Sequence, residues 1–340
     1  MKRTVLIVFL ILLLGALYSA WKVFGPTVSA PENKYFYIRT GSNYADVKRS
    51  LTDQKILSGT FFFDLVAKRV KYNQNIKAGR YEIRNGSSIV NLIRMLKAGR
   101  QSPVRLVINK IRTKEDFAGK VAQQFETDST TVINFITNND SLVKYKLDTN
   151  TVMTAIIPNS YLFWWNVSFT NMFKRLEDQK EKFWDGKRAQ KAAALGLSPA
   201  QVYTMASIVE EETVKQEDKG LIASVYINRM KKGMKLEADP TVKYAMRNFG
   251  LKRILHGHLE YPSLYNTYQH TGLPPGPICT PSINTIDAVL DAPQTNYIFF
   301  VAKPDFNGYS NFAATYQEHL VFAKAYQRAL DSLIISKQKN

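Results

Sequence analysis

The hydrophobic positions divide the chain into segments of different period. Residues 4–21, TVLIVFLILLLGALYSAW, carry no charge and follow Lys2 and Arg3. At about 1.5 Å per residue this run spans about 27 Å, close to the hydrocarbon thickness of a bilayer. A cleaved signal peptide ending near Ala16, Ser19 and Ala20 is the alternative. The length of the run and the bulky Tyr18 and Trp21 favour an uncleaved single span, and Lys2 and Arg3 are expected to hold the short N-terminus in the cytoplasm, with the remainder facing outward. Residues 22–34, KVFGPTVSAPENK, have no periodicity and read as a tether. YFYIRT (35–40) alternates as a strand does, and GSNYADVKRSL (41–51) puts Tyr44, Val47 and Leu51 at helical spacing. The plan recurs at YEIR and GSSIVNLIRML, with Ile89, Leu92, Ile93 and Leu96 on one helical face. Ser42 and Ser87 or Ser88 are the expected helix caps. A third strand and helix are expected over 104–125, an aromatic loop over 156–165 (IIPNSYLFWW), and a charged, solvated helix over 171–197.

SPAQVYTMASIVEEET opens with a legible helix start: Ser198 as N-cap, Pro199 at N1 and Gln201 at N3, a capping-box pattern. Val202, Met205, Ala206 and Val209 then form one apolar stripe. Glu212 follows Val209 by three and Ile208 by four, so it continues that stripe. By the same phase Glu211 faces away and is expected in solvent, while Glu210 lies on the flank. Burial would raise the pKa of Glu212, and charged Glu210 and Glu211 would push the same way. A carboxyl protonated near neutral pH is what protonation of a glycosidic oxygen requires. If the helix instead ends near residue 210, Glu212 is simply exposed.

Downstream, residues 220–248 contain a helix with Ile222, Val225, Tyr226 and Met230, then a break before Asp239-Pro240-Thr241, which reads as a new helix capped by Asp239. YPSLYNTYQHTGLPPGPICTPS (261–282) holds five prolines and three tyrosines, so it is expected as a rigid, ordered loop. Its Tyr265, Asn266, Thr267 and Tyr268 supply the hydrogen-bonding and stacking groups of a sugar cleft. NYIFFVAKP (296–304) reads as a strand, and residues 311–330 as a closing helix. His256 and His258 are too few for a metal site, and no phosphate-binding glycine loop or GxSxG is present.

Composition narrows the chemistry only slightly. A formal charge of +18 favours an anionic partner such as nucleic acid, an acidic bilayer or an acidic cell-wall glycan. An external location weakens the nucleic-acid reading, leaving no nucleic acid among the expected partners. Cys279 is the one cysteine, so no internal disulfide forms.

The strand, G-[ST], amphipathic-helix pattern resembles the LysM-type module that binds N-acetylglucosamine-containing glycans. MASIVEEET, VYINRMKKGMKLEADPTVKYA, YNTYQHTGLPPGPICTPS and the YIFFVA…F…H tail together resemble the YceG-like family of endolytic murein transglycosylases (the MltG type). The resemblance implies an α+β chain: an N-terminal transmembrane helix (1–24), a tether (25–34), a LysM-like α+β module (35–103), an intervening α+β region (104–197) and a mixed α/β catalytic domain (198–335). It implies Glu212 as the catalytic residue, with Glu210, Tyr226, Asn228, Arg229, Asp239, Tyr265, Asn266, Thr267, Tyr268, Gly272, Pro274 and Pro275 binding substrate. It also implies non-hydrolytic cleavage of the MurNAc–GlcNAc β-1,4 bond in peptidoglycan, with no metal or cofactor, beside peptidoglycan synthases. The chain departs from the family at GYSNF, where Ser310 stands in place of the usual histidine; His319 in the tail is retained. A muramidase-type hydrolase and a non-enzymatic glycan-binding scaffold are the competing readings.

Overall fold

The structure, a computed structural model, describes residues 2–338. The chain divides into two compact units: residues 1–106 with 122–128 and 162–168, and residues 107–121, 129–161 and 169 onward. The expected intervening region 104–197 is thus shared between them.

The first unit begins with α1 (Lys2–Phe24), long and apolar enough to cross a membrane and without a buried residue. It continues through β1 (Tyr35–Ile38), α2 (Tyr44–Asp53), α3 (Phe61–Arg69), β2 (Gly79–Glu82), α4 (Ile89–Ala98) and β3 (Val104–Val107). β1 and β2 pair antiparallel, Phe36 opposite Tyr81 and Ile38 opposite Gly79, with α2 and α3 between them in sequence. Phe36, Leu51, Phe63, Tyr72, Tyr81 and Leu96 are wholly buried in the core of this unit. Asn43, not Ser42, caps α2: its side chain accepts the Ala45 and Asp46 amides, and Asp46 accepts the Asn43 amide in return. Ser88 caps α4 as expected, and Gly99, at φ +70°, ends it in the left-handed conformation that glycine adopts without strain. The segment read as a tether is instead built into the fold. Val28 is 2% exposed, its amide donates to the Ser87 carbonyl, and the Ser29 amide donates to the Ile56 carbonyl. One buried valine with paired backbone on both sides is enough to dock a segment whose composition looks loop-like.

β3 pairs with β4 (Ser160–Phe163), so the aromatic stretch is partly a strand and not a loop. Burial alternates along it as in a half-buried strand: Tyr161, Phe163 and Trp165 are buried, while Leu162 and Trp164 are exposed. The helices α5 (Lys114–Gln124), α6 (Ser129–Ile136) and α7 (Asn139–Leu142) precede β4 in the chain. α8 (Phe169–Trp184) and α9 (Lys187–Ala194) replace the single solvated helix expected there, and Gly186 at φ +62° lies between them. α8 buries Phe169, Met172, Phe173 and Leu176, an i, i+3, i+4, i+7 stripe that the surrounding charges obscure.

The second unit is built on α10 (Pro199–Glu212), α11 (Gln216–Lys231), α12 (Asp239–Ala245), the four-residue α13 (His256–Leu259) and α14 (Ile283–Leu290). Ser198, Pro199 and Gln201 form the expected capping box and N1 proline. Every residue from Val202 to Val209 is buried, so α10 is enclosed on all faces and not merely along a stripe. α14 packs against both α10 and α11. β5 (Phe299–Ala302) pairs antiparallel with β6 (Ser310–Ala313), and α15 (Tyr316–Gln338) follows. The closing helix therefore starts five residues later than expected, at 316 and not 311, because 310–313 are taken up by sheet pairing.

Candidate active site

α10 ends in three adjacent glutamates, at the pole of a helix where unpaired carbonyls concentrate negative charge. Three ionised carboxylates there would repel both the dipole and one another, and the surrounding fold handles each of them differently. Glu210 accepts hydrogen bonds from the Lys219 ammonium at 3.0 Å and from the hydroxyls of Ser282, at 3.0 Å, and Thr285. Glu211 is paired with Lys110 at 3.0 Å and with the Arg112 guanidinium, which reaches both of its oxygens. Burial alone would raise both pKa values. The bonds from Thr285 and Lys219 to Glu210, and from Arg112 and Lys110 to Glu211, outweigh it and hold both carboxyls below their ordinary value. Glu211 is therefore not solvated as its helical phase predicts, and the two neighbours do not account for the protonation of Glu212.

Glu212 is the last residue of α10, since the helix does not stop at 210; Thr213, in extended conformation, caps it. Its carboxyl is packed among protein groups while the residue keeps a partial opening to solvent. Tyr226, 1% exposed on α11, donates its hydroxyl to Glu212 Oε1 at 2.7 Å. Burial raises the Glu212 pKa, the Tyr226 hydrogen bond lowers it, the Asp239 charge raises it, and the charges of Lys243 and Arg229 lower it. The balance stands at about 7. The group is thus poised to give and to take a proton near neutrality.

Asp239 is the first residue of α12 and Ala238 holds the cap position, so the aspartate does not cap as the sequence predicts. Its carboxylate instead accepts the Tyr268 hydroxyl at 2.7 Å. Burial and the Asp239 bond push the Tyr268 phenol well up, which keeps it a donor. Lys243, one turn along α12, went unnoticed in the sequence, although its i+4 spacing from Asp239 puts it on the same helical face.

Glu212, Tyr226, Asp239 and Tyr268 therefore share one electrostatic neighbourhood. The other residues expected at the site hold its frame. Asn228 donates to the Thr295 and Tyr297 carbonyls, each at 2.9 Å. Arg229, 7% exposed, donates to the carbonyls of Ile298 and Leu236 and to Glu237. Asn266 is wholly buried and donates to the Leu259 and Tyr261 carbonyls. Thr267 accepts the Ala238 amide at 3.0 Å and so fixes the start of α12, and with it Asp239. Tyr265 is half-buried with its ring 4.8 Å from that of Tyr244. Gly272 takes φ +81°, Pro274 is buried and Pro275 half-buried in the long loop, which is free of helix and has one bridge, Thr271 to Lys235. Two further ties hold that loop: the Ile278 amide donates to Ser207 of α10, and Thr280 bonds to both Asn109 and Ile111. The Ser310 amide donates to Asp218 at 2.7 Å, and His319 stacks on Phe299. Among the described residues there is no group of His, Cys, Asp and Glu able to hold a metal ion.

Removing the Tyr226 hydroxyl should raise the Glu212 pKa above about 7, because that bond favours the ionised form. Tyr226→Phe is expected to displace the alkaline limb of the kcat/KM profile upward in pH. A profile that coincides with wild type would deny the coupling.

Comparison with known proteins places this geometry in context. The model of the YceG-like family matches residues 36–325. The chain is 28% identical over 298 residues to the endolytic murein transglycosylase of Bacillus subtilis, covering 83% of this chain and 81% of that one. It is 24% identical over 315 residues to the endolytic murein transglycosylase of Streptococcus pneumoniae serotype 2, covering 81% of this chain but only 55% of the longer pneumococcal protein. The crystal structure of a yceG-like protein from Listeria monocytogenes superposes with a TM-score of 0.56 at 26% identity, over 84% of this chain and 97% of that one. With a match running from the first strand of one unit into the last helix of the other, the chain belongs to the YceG-like family.

Proposed function

We propose that this protein is a membrane-anchored endolytic lytic transglycosylase. It cleaves MurNAc–GlcNAc β-1,4 bonds within peptidoglycan and leaves 1,6-anhydroMurNAc ends, terminating nascent strands beside peptidoglycan synthases. The observation that carries this reading is Glu212, a carboxyl with a pKa of about 7 held by the buried Tyr226 hydroxyl. Protonated Glu212 gives its proton to the glycosidic oxygen as the bond from that oxygen to C1 breaks. The carboxylate so formed takes the proton of the muramyl C6 hydroxyl, whose oxygen closes onto C1. One residue serves as acid and then base, and the substrate supplies the nucleophile. Asp239, oriented by Tyr268, adds negative charge beside Glu212, which favours positive charge developing at C1. The antiparallel pair β1 and β2 with α2 and α3 between supports a LysM-like, glycan-binding role for the first unit. The apolar α1, uncharged from residue 4 to 21, supports an inner-membrane span with the remainder outside.

A muramidase is the second reading, because Asp239 is the additional carboxylate that hydrolysis requires. Mass spectrometry of digested glycan strands separates the two. Anhydro ends are expected, and reducing MurNAc ends would replace the transglycosylase by the hydrolase.

A further inference from the structure

We propose that α3 is a second membrane contact, its face bearing Phe61, Phe62 and Leu65 lying in the boundary of the bilayer that α1 spans; this rests on the reading of α1 as a span. The core side of α3 is Phe63 and Ala67, both fully buried, yet Phe61 is 74% exposed and Leu65 60%. At about 100° per residue, Phe61 and Leu65 point away from Phe63 and Ala67, with Phe62 at the edge of the sector half-buried against the module and Arg69 within it at the C-terminal end. A soluble module gains nothing by presenting this sector to water.

The level of that sector is tied to the end of α1. The Phe62 ring meets Tyr18 edge-on at 6.2 Å, and Phe61 in turn meets Phe62 edge-on at 5.1 Å. Tyr18 and Trp21 lie in the last turns of α1, with Lys22 5.6 and 5.4 Å from their ring centres. Amphipathic rings followed by a cation mark the headgroup level of a span. The connection has no slack, because Val28 is already buried in the core of the module four residues after α1 ends. The apolar sector of α3 therefore sits at the height where headgroups meet acyl chains. Lys68 and Arg69, exposed at the C-terminal end of α3, would reach back to lipid phosphates, as would Lys22 from α1. Two contacts at one level fix the orientation of the module on the surface, which a single helix cannot do.

The test uses the full chain in vesicles of phosphatidylethanolamine and phosphatidylglycerol, with buried Cys279 replaced by serine and a nitroxide at Leu65→Cys or at Leu10→Cys. Collision with oxygen and with a water-soluble nickel chelate reports depth. The Leu65 label is expected about 5–10 Å below the phosphates, and the Leu10 label deep in the hydrocarbon. A deep Leu10 label with a water-exposed Leu65 label would overturn the contact and leave the span standing. A water-exposed Leu10 label would overturn both.

Discussion

Glu212→Gln is expected to reduce turnover by about 10³-fold or more, because a single group performs both proton transfers and an amide performs neither. The same substitution should stabilise the fold at alkaline pH. In the native state Glu212 holds its proton up to about pH 7, whereas an unfolded glutamate releases it near 4.5. Between those values the native state binds more protons, so this group's contribution to stability is intact below about 4.5 and is lost as pH rises through 7. Glutamine cannot ionise and escapes that loss. Thermal melts of the two proteins should coincide near pH 4 and separate at pH 8, the variant being the more stable by up to about 3 kcal/mol. Opposite changes in activity and stability distinguish a poised acid from a structural carboxylate. If the variant melted lower than wild type at both pH values, Glu212 would be holding the fold together.

Arg229→Met is expected to cost about 3–5 kcal/mol in urea denaturation. The guanidinium is 7% exposed and donates at 2.7 Å to the Ile298 carbonyl, at 2.9 Å to Leu236 and at 3.0 Å to Glu237. Methionine fills the volume but leaves buried carbonyls without donors, and these join α11 to the start of β5 and to the approach to α12. Arg229→Lys should lose less, since an ammonium still satisfies some of the acceptors. Arg247→Met breaks the exposed pair with Glu115, whose partners are 50% and 61% exposed, and should change stability by less than about 1 kcal/mol. A cost at Arg229 no larger than that at Arg247 would show that its bonds are dispensable.

Much of the site could be read from the chain because its information is local. Ser198, Pro199 and Gln201 lie within four consecutive positions, and the helix they start carries its phase forward to Glu212. The restraints on the other two glutamates could not be read this way. Lys110 and Arg112 lie about a hundred positions before Glu211, and Lys219 reaches Glu210 across the break between α10 and α11. Phase predicts which side of a helix a residue occupies, but not what the rest of the fold brings to that side. The same limit hid the sheet formed by β5 and β6, since Ser310–Ala313 has no strand signature of its own and is defined by its partner. α8 was obscured for another reason: a narrow apolar stripe in a charge-rich segment looks solvated until its neighbours are known.

The enclosure of α10 bears on how long the acid keeps its character. A helix with a solvent-facing side can fray or open locally at small cost, exposing whatever it carries. From Val202 to Val209 this one has no such side, and Ser207 is tied to the proline-rich loop through the Ile278 amide. Its amides are expected to exchange with solvent only when the whole unit unfolds. The proton affinity of Glu212 is then a property of the entire unit, as persistent as the folded state itself.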